Sequence, residues 1–586
     1  MDKRYLVDES KVWFRKESGW PDEVPRNIEF PKMGLGEMLD ESVRKFGSRP
    51  ALWFLDQWMT YDELGRNVAA LATALHNLGI RKGDVVSLLL PNSFQYVISY
   101  FACAKVGAVV SGINPTYKPG EALHQIKTVG ARALIVLDAL YPQIVQPVEK
   151  EAAFELVITT NIGDFLPRVK RFVAKLLKKI PTGAVPASAH ALSTLLRTPP
   201  APPKVDIDPE EDAAVYIMTG GTTGVPKAAV LTHFNCVSNV IQCRAWLYKV
   251  EPGAAQVSIL PFFHSFGMTA VMNLGLSIGA WLMLFPKPPL MKDLAHQVET
   301  IGPSEATFFC GAEVLFQKMA DYLEANPGTH KIDNKLTMCI SGAGPLHRHV
   351  LEKFERVTNG RLGEGYGLTE ATPVVSACPF YGNRKIGTIG LPFPGTEWKI
   401  MDMETTSREL PPGESNIGEI CVAGPQVMKG YLNRDDETAE TLKVFPDGKL
   451  YLLTGDLGYM DEDGQIVIRD RKKQLIKYKG YSVYPKEVEE LVAVNQKVSE
   501  VAVHGLPDRE TGEVIKAWVV LEPAAKGTIT EAELLDWCKK NMTYYKVPRH
   551  IEFIDELPKT AVGKVQRREL AEADPIYKAY HTSNEE

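Results

Sequence analysis

The chain has no cysteine pair at metal-binding or redox spacing. Its eight cysteines (103, 236, 243, 310, 339, 378, 421 and 538) are scattered, with no Cys-x-x-Cys among them. A zinc site or redox pair is therefore not expected, and reduced thiols of a cytosolic protein are the simplest reading. Nor is there an excess of positive charge: 66 Lys and Arg against 72 Asp and Glu leave a net charge of −6, where a nucleic-acid binder would be basic. No uninterrupted apolar run reaches membrane-spanning length. The longest candidate, residues 268–285, is broken by Thr269, Asn273, Ser277 and two glycines and reads as core. Residues 1–5 lack an apolar signal core, and residues 581–586 match no lipidation or address signal. These absences predict a cytoplasmic protein without excluding peripheral contact with the inner face of a membrane.

What is present is ordinary globular composition, 45% apolar and 24% charged, over 586 residues, more than one hydrophobic core normally serves. Thr60–Leu78 reads as a helix, with Thr60 as N-cap and Glu63 three residues on. Strand patterns follow at 84–90, 108–112, 133–137 and 156–159, with a helix at 95–106. Strands separated by helices predict an α/β fold of mainly parallel sheets flanked by helices. The pattern breaks over 161–208. There Phe165, Val169, Phe172, Val173, Leu176 and Ile180 fall at helical spacing, with Arg168, Arg171, Lys175, Lys178 and Lys179 opposite and no acid between 165 and 180. Such a basic amphipathic helix either meets an anionic membrane surface or packs by its apolar face; packing is the commoner case and the one expected here. The Pro/Ala-rich 199–203 reads as a semi-rigid connector. Near 470 the charged strip 469–473 lacks apolar periodicity and reads as a linker. About a hundred residues of strand–helix alternation follow, predicting a small α+β domain. The expected division is therefore 1–468, linker 469–473 and 474–586.

Between the strand patterns at 213–217 and 228–232 lies Met218-Thr219-Gly220-Gly221-Thr222-Thr223-Gly224-Val225-Pro226-Lys227. Glycines and threonine hydroxyls concentrated in one loop make a nest for phosphate oxygens, and Lys227 adds a point charge. It is not a Walker loop, because Val225-Pro226 precedes the lysine and a strand pattern, not a helix, follows. A plain surface hairpin remains the alternative for this loop taken alone.

The loop has company: Pro261-Phe262-Phe263-His264-Ser265-Phe266-Gly267, Ser341-Gly342-Ala343-Gly344-Pro345, and Gly363-Glu364-Gly365-Tyr366-Gly367-Leu368-Thr369-Glu370. Further on stand Thr454-Gly455-Asp456, Asp470-Arg471-Lys472-Lys473, Lys477-Tyr478-Lys479-Gly480 and Pro558-Lys559-Thr560-Ala561-Val562-Gly563-Lys564. In this order, from about Leu35 to about Leu570, the motifs resemble the adenylate-forming superfamily, nearest its fatty-acyl and aryl carboxylate–CoA ligase branch. Two positions depart from the usual pattern: Gly220 stands where serine is common and Ala228 where glycine is common.

The resemblance implies a large N-terminal adenylation domain with a β-subdomain and a small mobile C-terminal domain. It also implies ATP, Mg²⁺ and coenzyme A acting on a carboxylic acid, through an acyl-adenylate. Thr219, Gly220, Gly221, Thr222, Thr223, Gly224 and Lys227 would hold phosphates. Gly342, Ala343, Gly344, Gly365, Tyr366 and Gly367 would cradle adenine; Asp456 would hold the ribose hydroxyls, and Arg471 would add a ribose or phosphate contact. Glu370, with Thr223, would serve Mg²⁺, and Thr369 the α-phosphate. Lys564 would stabilise the adenylation transition state, Lys473 would be the hinge, and Lys477, Lys479 and Gly480 would face CoA. The acyl pocket would be lined by Phe262, Phe266, Met268, Phe308, Phe309, Gly311 and Pro373. His264 would either gate the thioester step or sit as a polar residue at the rim. An apolar, aromatic-rich lining of this kind suits an apolar acid without setting its chain length; the resemblance implies a medium- or long-chain fatty acid, with an aromatic or alicyclic acid, an enzyme run toward ATP, and a carrier-protein-charging ligase as the alternatives. No carrier domain is expected after Lys564. The oligomeric state is expected to be monomer or homodimer.

Overall fold

The computed structural model describes residues 2–219, 226–300, 307–381, 384–479, 481–560 and 563–585. Of the expected site residues, Gly220, Gly221, Thr222, Thr223, Gly224 and Gly480 lie outside them. The chain forms two compact units. One contains Met1–Gly221, Val225–Glu397 and Val422–Leu452; the other contains Trp398–Cys421 and Leu453–Glu586.

Among the described residues the first unit holds two large sheets. One is eight-stranded, in the order Gly430–Tyr431, Lys227–Thr232, Ala213–Thr219, Val109–Gly112, Val85–Leu89, Ala133–Leu137, Leu156–Thr160, His190–Ala191. Its pairs are parallel from Ala213–Thr219 to His190–Ala191 and antiparallel at the Lys227–Thr232 edge. Val85–Leu89 is buried at every position, as a strand covered on both faces by helices must be. The other sheet is nine-stranded: Leu391–Pro392, Val374–Ala377, Leu362–Gly367, Met338–Ser341, Thr307–Gly311, Ala255–Ser258, Trp281–Leu284, Pro50–Phe54, Gln57–Thr60. Parallel pairing runs from Leu362–Gly367 across to Pro50–Phe54. The fold is the α/β arrangement the alternating pattern predicts.

The helix expected from Thr60 runs Tyr61–Asn77. Thr60 accepts from the Glu63 amide while the Glu63 carboxylate accepts from the Thr60 amide at 2.8 Å, a full capping box. The apolar stretch at 268–285 is core: a π-helical turn Gly267–Asn273, the short helix Leu274–Ser277 and the strand Trp281–Leu284 are nearly all buried. No helix among the described residues is long and apolar enough to cross a membrane.

The second unit contains the expected α+β elements: strands Ile476–Tyr478, Tyr481–Val483, Val498–Asp508, Gly512–Leu521 and His550–Phe553, and helices Pro485–Ala493 and Glu531–Asn541. Their core gathers Ile476, Val488, Val503, Ile515, Val519, Leu534 and Ile551.

Two local expectations need correction. The helix expected over 165–180 is nine residues, Arg168–Leu176, and its apolar side chains are exposed, not packed. The charged strip is not wholly outside regular structure either. Arg469–Arg471 complete the strand Ile466–Arg471, paired antiparallel with Leu450–Met460 through Asp456↔Arg471 and Leu457↔Asp470. Asp470 is buried there because its carboxylate accepts from the backbone amides of Lys486 and Arg471, both at 2.7 Å. Hydrogen bonding makes burial of a charged residue tolerable where periodicity gives no sign of it.

Candidate active site

Three sequence motifs converge inside the first unit. The strand Leu362–Gly367 ends in a 3₁₀ turn, Thr369–Ala371, that carries Thr369 and Glu370. The turn is held by the Leu368 amide on the Pro373 carbonyl (3.0 Å) and by the Met428 amide on the Glu370 carbonyl (2.8 Å). The Thr369 hydroxyl lies 3.3 Å from the Ser265 hydroxyl, which brings the His264 loop to the turn. Phe266, next along that loop, meets Gly342: a Cβ on Gly342 would lie 2.8 Å from the Phe266 ring. Gly342 is thus the residue that lets the loop 341–345 and the aromatic loop touch.

Glu370 Oε1 accepts from the Tyr431 hydroxyl at 2.8 Å. Burial, then the neighbouring Glu370 carboxylate, push the Tyr431 phenol well above its ordinary value, so it stays a donor. The same ring has Lys227 Nζ 4.1 Å from its centroid, and Lys227 pairs with Glu437 at 2.5 Å. Tyr431 therefore gathers two groups, the Glu370 carboxylate at its hydroxyl and the Lys227 ammonium at its ring. A carboxylate oxygen of this kind is the hard donor Mg²⁺ prefers, and Mg²⁺ commonly takes one or two carboxylates with the remainder from phosphate and water.

Ala343 and Gly344 are exposed beyond the buried Gly342. Ala343 has φ 67°, in the left-handed region, and nothing approaches within 4 Å of a Cβ built on Gly344. The loop offers open backbone, which a planar base needs for close approach. Tyr366, half-buried, sits where the pairing of Leu362–Gly367 with Val374–Ala377 turns irregular. At Gly367 a Cβ would be 2.1 Å from the Pro373 carbonyl oxygen, so only glycine passes. Thr219 is buried at the end of its strand, opposite Lys227.

His264 is half-buried, and its Nδ1 accepts from the Phe266 amide at 3.2 Å, which leaves the proton of the neutral ring on Nε2. Phe262, Phe266, Met268 and Phe308 are buried. The Phe262 ring meets Tyr96 edge-on at 5.7 Å, and its amide donates to Asn92 Oδ1 at 2.9 Å. Phe309 is the exception. Successive strand side chains point to opposite faces, and Phe309 packs with Phe316 at 4.9 Å in the core that includes Phe354 and Leu323. Its ring is committed to that core, away from the face of Phe308. Gly311 closes the same strand, its carbonyl accepting from the Gly342 amide at 3.0 Å. Pro373 follows directly on the Glu370 turn.

On the second unit, Asp456 is buried and paired with Arg471 Nε at 2.9 Å; the two are also register partners in the sheet. Lys473 lies in the turn Lys472–Gln474. Lys477 donates from Nζ to Ser482 Oγ at 2.8 Å, and Lys479 has φ 49°. Lys564 stands on a hairpin closed by the Lys559↔Val565 bridge, with its amide donating to Thr560 Oγ1 at 3.1 Å.

Sequence reasoning missed Tyr431, Glu437, Ser265 and Asn92. Ser265 lies within the Pro261–Gly267 motif, but its partner Thr369 is more than a hundred residues away in sequence. Tyr431 and Glu437 carry no local signal; only the pairing of Gly430–Tyr431 with Ala229 and Val230 brings them in.

The family model described as AMP-binding enzyme matches residues 39–432, and that of the AMP-binding enzyme C-terminal domain matches 487–564. A long-chain-fatty-acid–CoA ligase of Bacillus subtilis is 37% identical over 576 residues, 97% of this chain and 99% of the relative. ATP-bound MatB from Rhodopseudomonas palustris superposes with a TM-score of 0.78 at 25% identity, covering 93% of this chain and all of that one. A long-chain-fatty-acid–CoA ligase from Archaeoglobus fulgidus superposes with a TM-score of 0.66 at 28% identity, covering 90% of this chain and 98% of that one.

Proposed function

The chain belongs to the AMP-binding enzyme family, and from that premise we infer that it is an AMP-forming carboxylate–CoA ligase acting on a medium- or long-chain fatty acid. The reading is carried by the convergence of Ser265 with Thr369 and of Phe266 with Gly342. These contacts set an aromatic, apolar wall beside the residues proposed for the nucleotide.

A carboxylate is a poor acyl donor because oxide would have to leave. Attack of its oxygen on the α-phosphorus of ATP expels pyrophosphate and makes AMP the later leaving group. Attack of the CoA thiol on the acyl carbonyl then gives the thioester and AMP. The first step needs positioning and neutralisation of charge more than covalent help. In this scheme Lys227 and the glycine/threonine loop hold the pyrophosphate portion, Thr369 bonds the α-phosphate, and Tyr366 stacks on adenine above Gly342-Ala343-Gly344. Asp456, oriented by Arg471, takes the ribose hydroxyls, and Lys564 offsets charge as the phosphorus is attacked. Mg²⁺, when bound, draws charge from the phosphate oxygens; Glu370 would hold it, with the Tyr431 hydroxyl fixing that carboxylate. Lys473 acts as the hinge by which the C-terminal domain exchanges the Lys564 hairpin for the Lys477–Lys479 face between half-reactions.

The test is a panel of acids from acetate through palmitate to benzoate, read both as pyrophosphate released and as CoA thioester formed. Turnover is expected to peak among the fatty acids and to require CoA for thioester. Absence of ATP- and acid-dependent pyrophosphate overturns the ligase reading; a peak at benzoate overturns the substrate class.

A further inference from the structure

The segment leading from strand Leu156–Thr160 toward His190–Ala191 is pinned at both ends and bare between them. At its start the Phe165 ring meets Phe94 edge-on at 5.4 Å. Asp164 accepts from the Thr160 hydroxyl and the Asn161 amide, both at 2.8 Å, and pairs with Arg171. At its end Ile180 is buried, and Asn161 Nδ2 donates to the Pro181 carbonyl at 3.0 Å. On and just past the helix Arg168–Leu176, Val169 is 76% exposed, Phe172 69%, Leu176 72% and Leu177 58%. A packed amphipathic helix buries such residues. Arg168, Lys170, Lys178 and Lys179 are exposed among them, and no acidic residue occurs from 165 to 205, although the whole chain is acidic.

Exposed apolar side chains ringed by charge of one sign call for a partner that is anionic at its surface and apolar just beneath. We propose that the segment from Arg168 to Lys179 docks this protein on the headgroup region of an anionic lipid bilayer, its exposed apolar side chains entering the acyl boundary and Arg168, Lys170, Lys178 and Lys179 meeting lipid phosphate. That combination is the mark of an interfacial helix. Each basic residue close to an anionic leaflet strengthens binding by roughly fivefold, so the four exposed ones supply up to several hundredfold. The docking also makes sense of the surroundings, a point that rests on the ligase reading. Phe94, against which the segment is pinned, opens the helix Phe94–Lys105; Tyr96 on that helix meets the proposed acyl-site residue Phe262. An acid that partitions into bilayers would thus be taken up by a protein seated on them.

Vesicle flotation of the whole chain tests this, with phosphatidylcholine alone against equal parts phosphatidylcholine and phosphatidylglycerol. Phe172→Ser/Leu176→Ser removes the apolar contact and Lys170→Glu/Lys178→Glu the charge; all four positions are exposed, and thermal melting checks that each variant is folded. Wild type is expected to float with anionic vesicles, much less with phosphatidylcholine, and each double variant to lose about tenfold or more in partition. Turnover of a water-soluble short acid should be unchanged. Failure of wild type to bind anionic vesicles, or folded variants that bind like wild type, overturns the proposal. So does a concentration-dependent dimer abolished by Phe172→Ser/Leu176→Ser, which would give the face to a second copy. Vesicle binding without pyrophosphate release would sink the ligase reading and leave the docking intact.

Discussion

Tyr431 touches both a carboxylate and a cation, and what it does for Glu370 can be separated from what it does for Lys227. Tyr431→Phe keeps the ring under Lys227 and removes the hydroxyl that Glu370 accepts from. The Mg²⁺ concentration for half-maximal adenylation should rise by about tenfold, as expected when a partner orienting a metal ligand is lost, with little change in melting temperature; an unchanged Mg²⁺ dependence would argue against Glu370 as ligand. Lys564→Ala should slow adenylation by roughly a hundred- to thousandfold while thioester formation from supplied acyl-AMP continues. Equal loss of both half-reactions in a pre-steady-state assay would refute its assignment to the first. Gly367→Ala meets the Pro373 carbonyl at 2.1 Å, so the Glu370 turn must shift. The variant should lose about 1–3 kcal/mol of stability by urea unfolding and most of its adenylation rate.

At the scale of elements, the strand Ile466–Arg471 shows what a charge pattern conceals. Burial pushes the Asp470 carboxyl up to about 6 from 3.8, against its two backbone hydrogen bonds and the nearby Arg567. A carboxyl that holds its proton more tightly folded than unfolded contributes stability that is full below 3.8 and is lost as pH climbs through 6, a swing of about 3 kcal/mol. Asp470→Asn, which keeps an acceptor for the Lys486 amide, should flatten that decline between those two values in thermal melts. An equal slope in both proteins would mean the carboxyl titrates normally. Helix Tyr61–Asn77 and strand Val85–Leu89 were legible because capping residues and buried periodicity are local signals. Helix Arg168–Leu176 was legible as an element, but its exposure was not: whether an apolar face is covered depends on what the rest of the chain brings to it, and here nothing described covers Val169, Phe172 and Leu176.

The whole molecule is two units, and the proposed pair of half-reactions calls for a hinge, assigned above to Lys473. Lys473→Pro should restrict the turn Lys472–Gln474 and slow thioester formation far more than adenylation in single-turnover kinetics; equal slowing would move the hinge elsewhere. The acidic balance argued against a basic nucleic-acid binder, and the scattered cysteines against a cysteine metal site. Ordered motifs from 219 to 564 then indicated the adenylate-forming family through their resemblance to it, because each motif is a run of neighbouring residues. Tertiary structure alone decided which side chains complete the site. Tyr431 and Glu437 reach Lys227, Ser265 reaches Thr369, and Phe309 turns into the helix-packed core while Phe308 does not. Spacing along a chain fixes the face a residue occupies within its own element, but which distant element that face meets is set by how sheets pair and cores close.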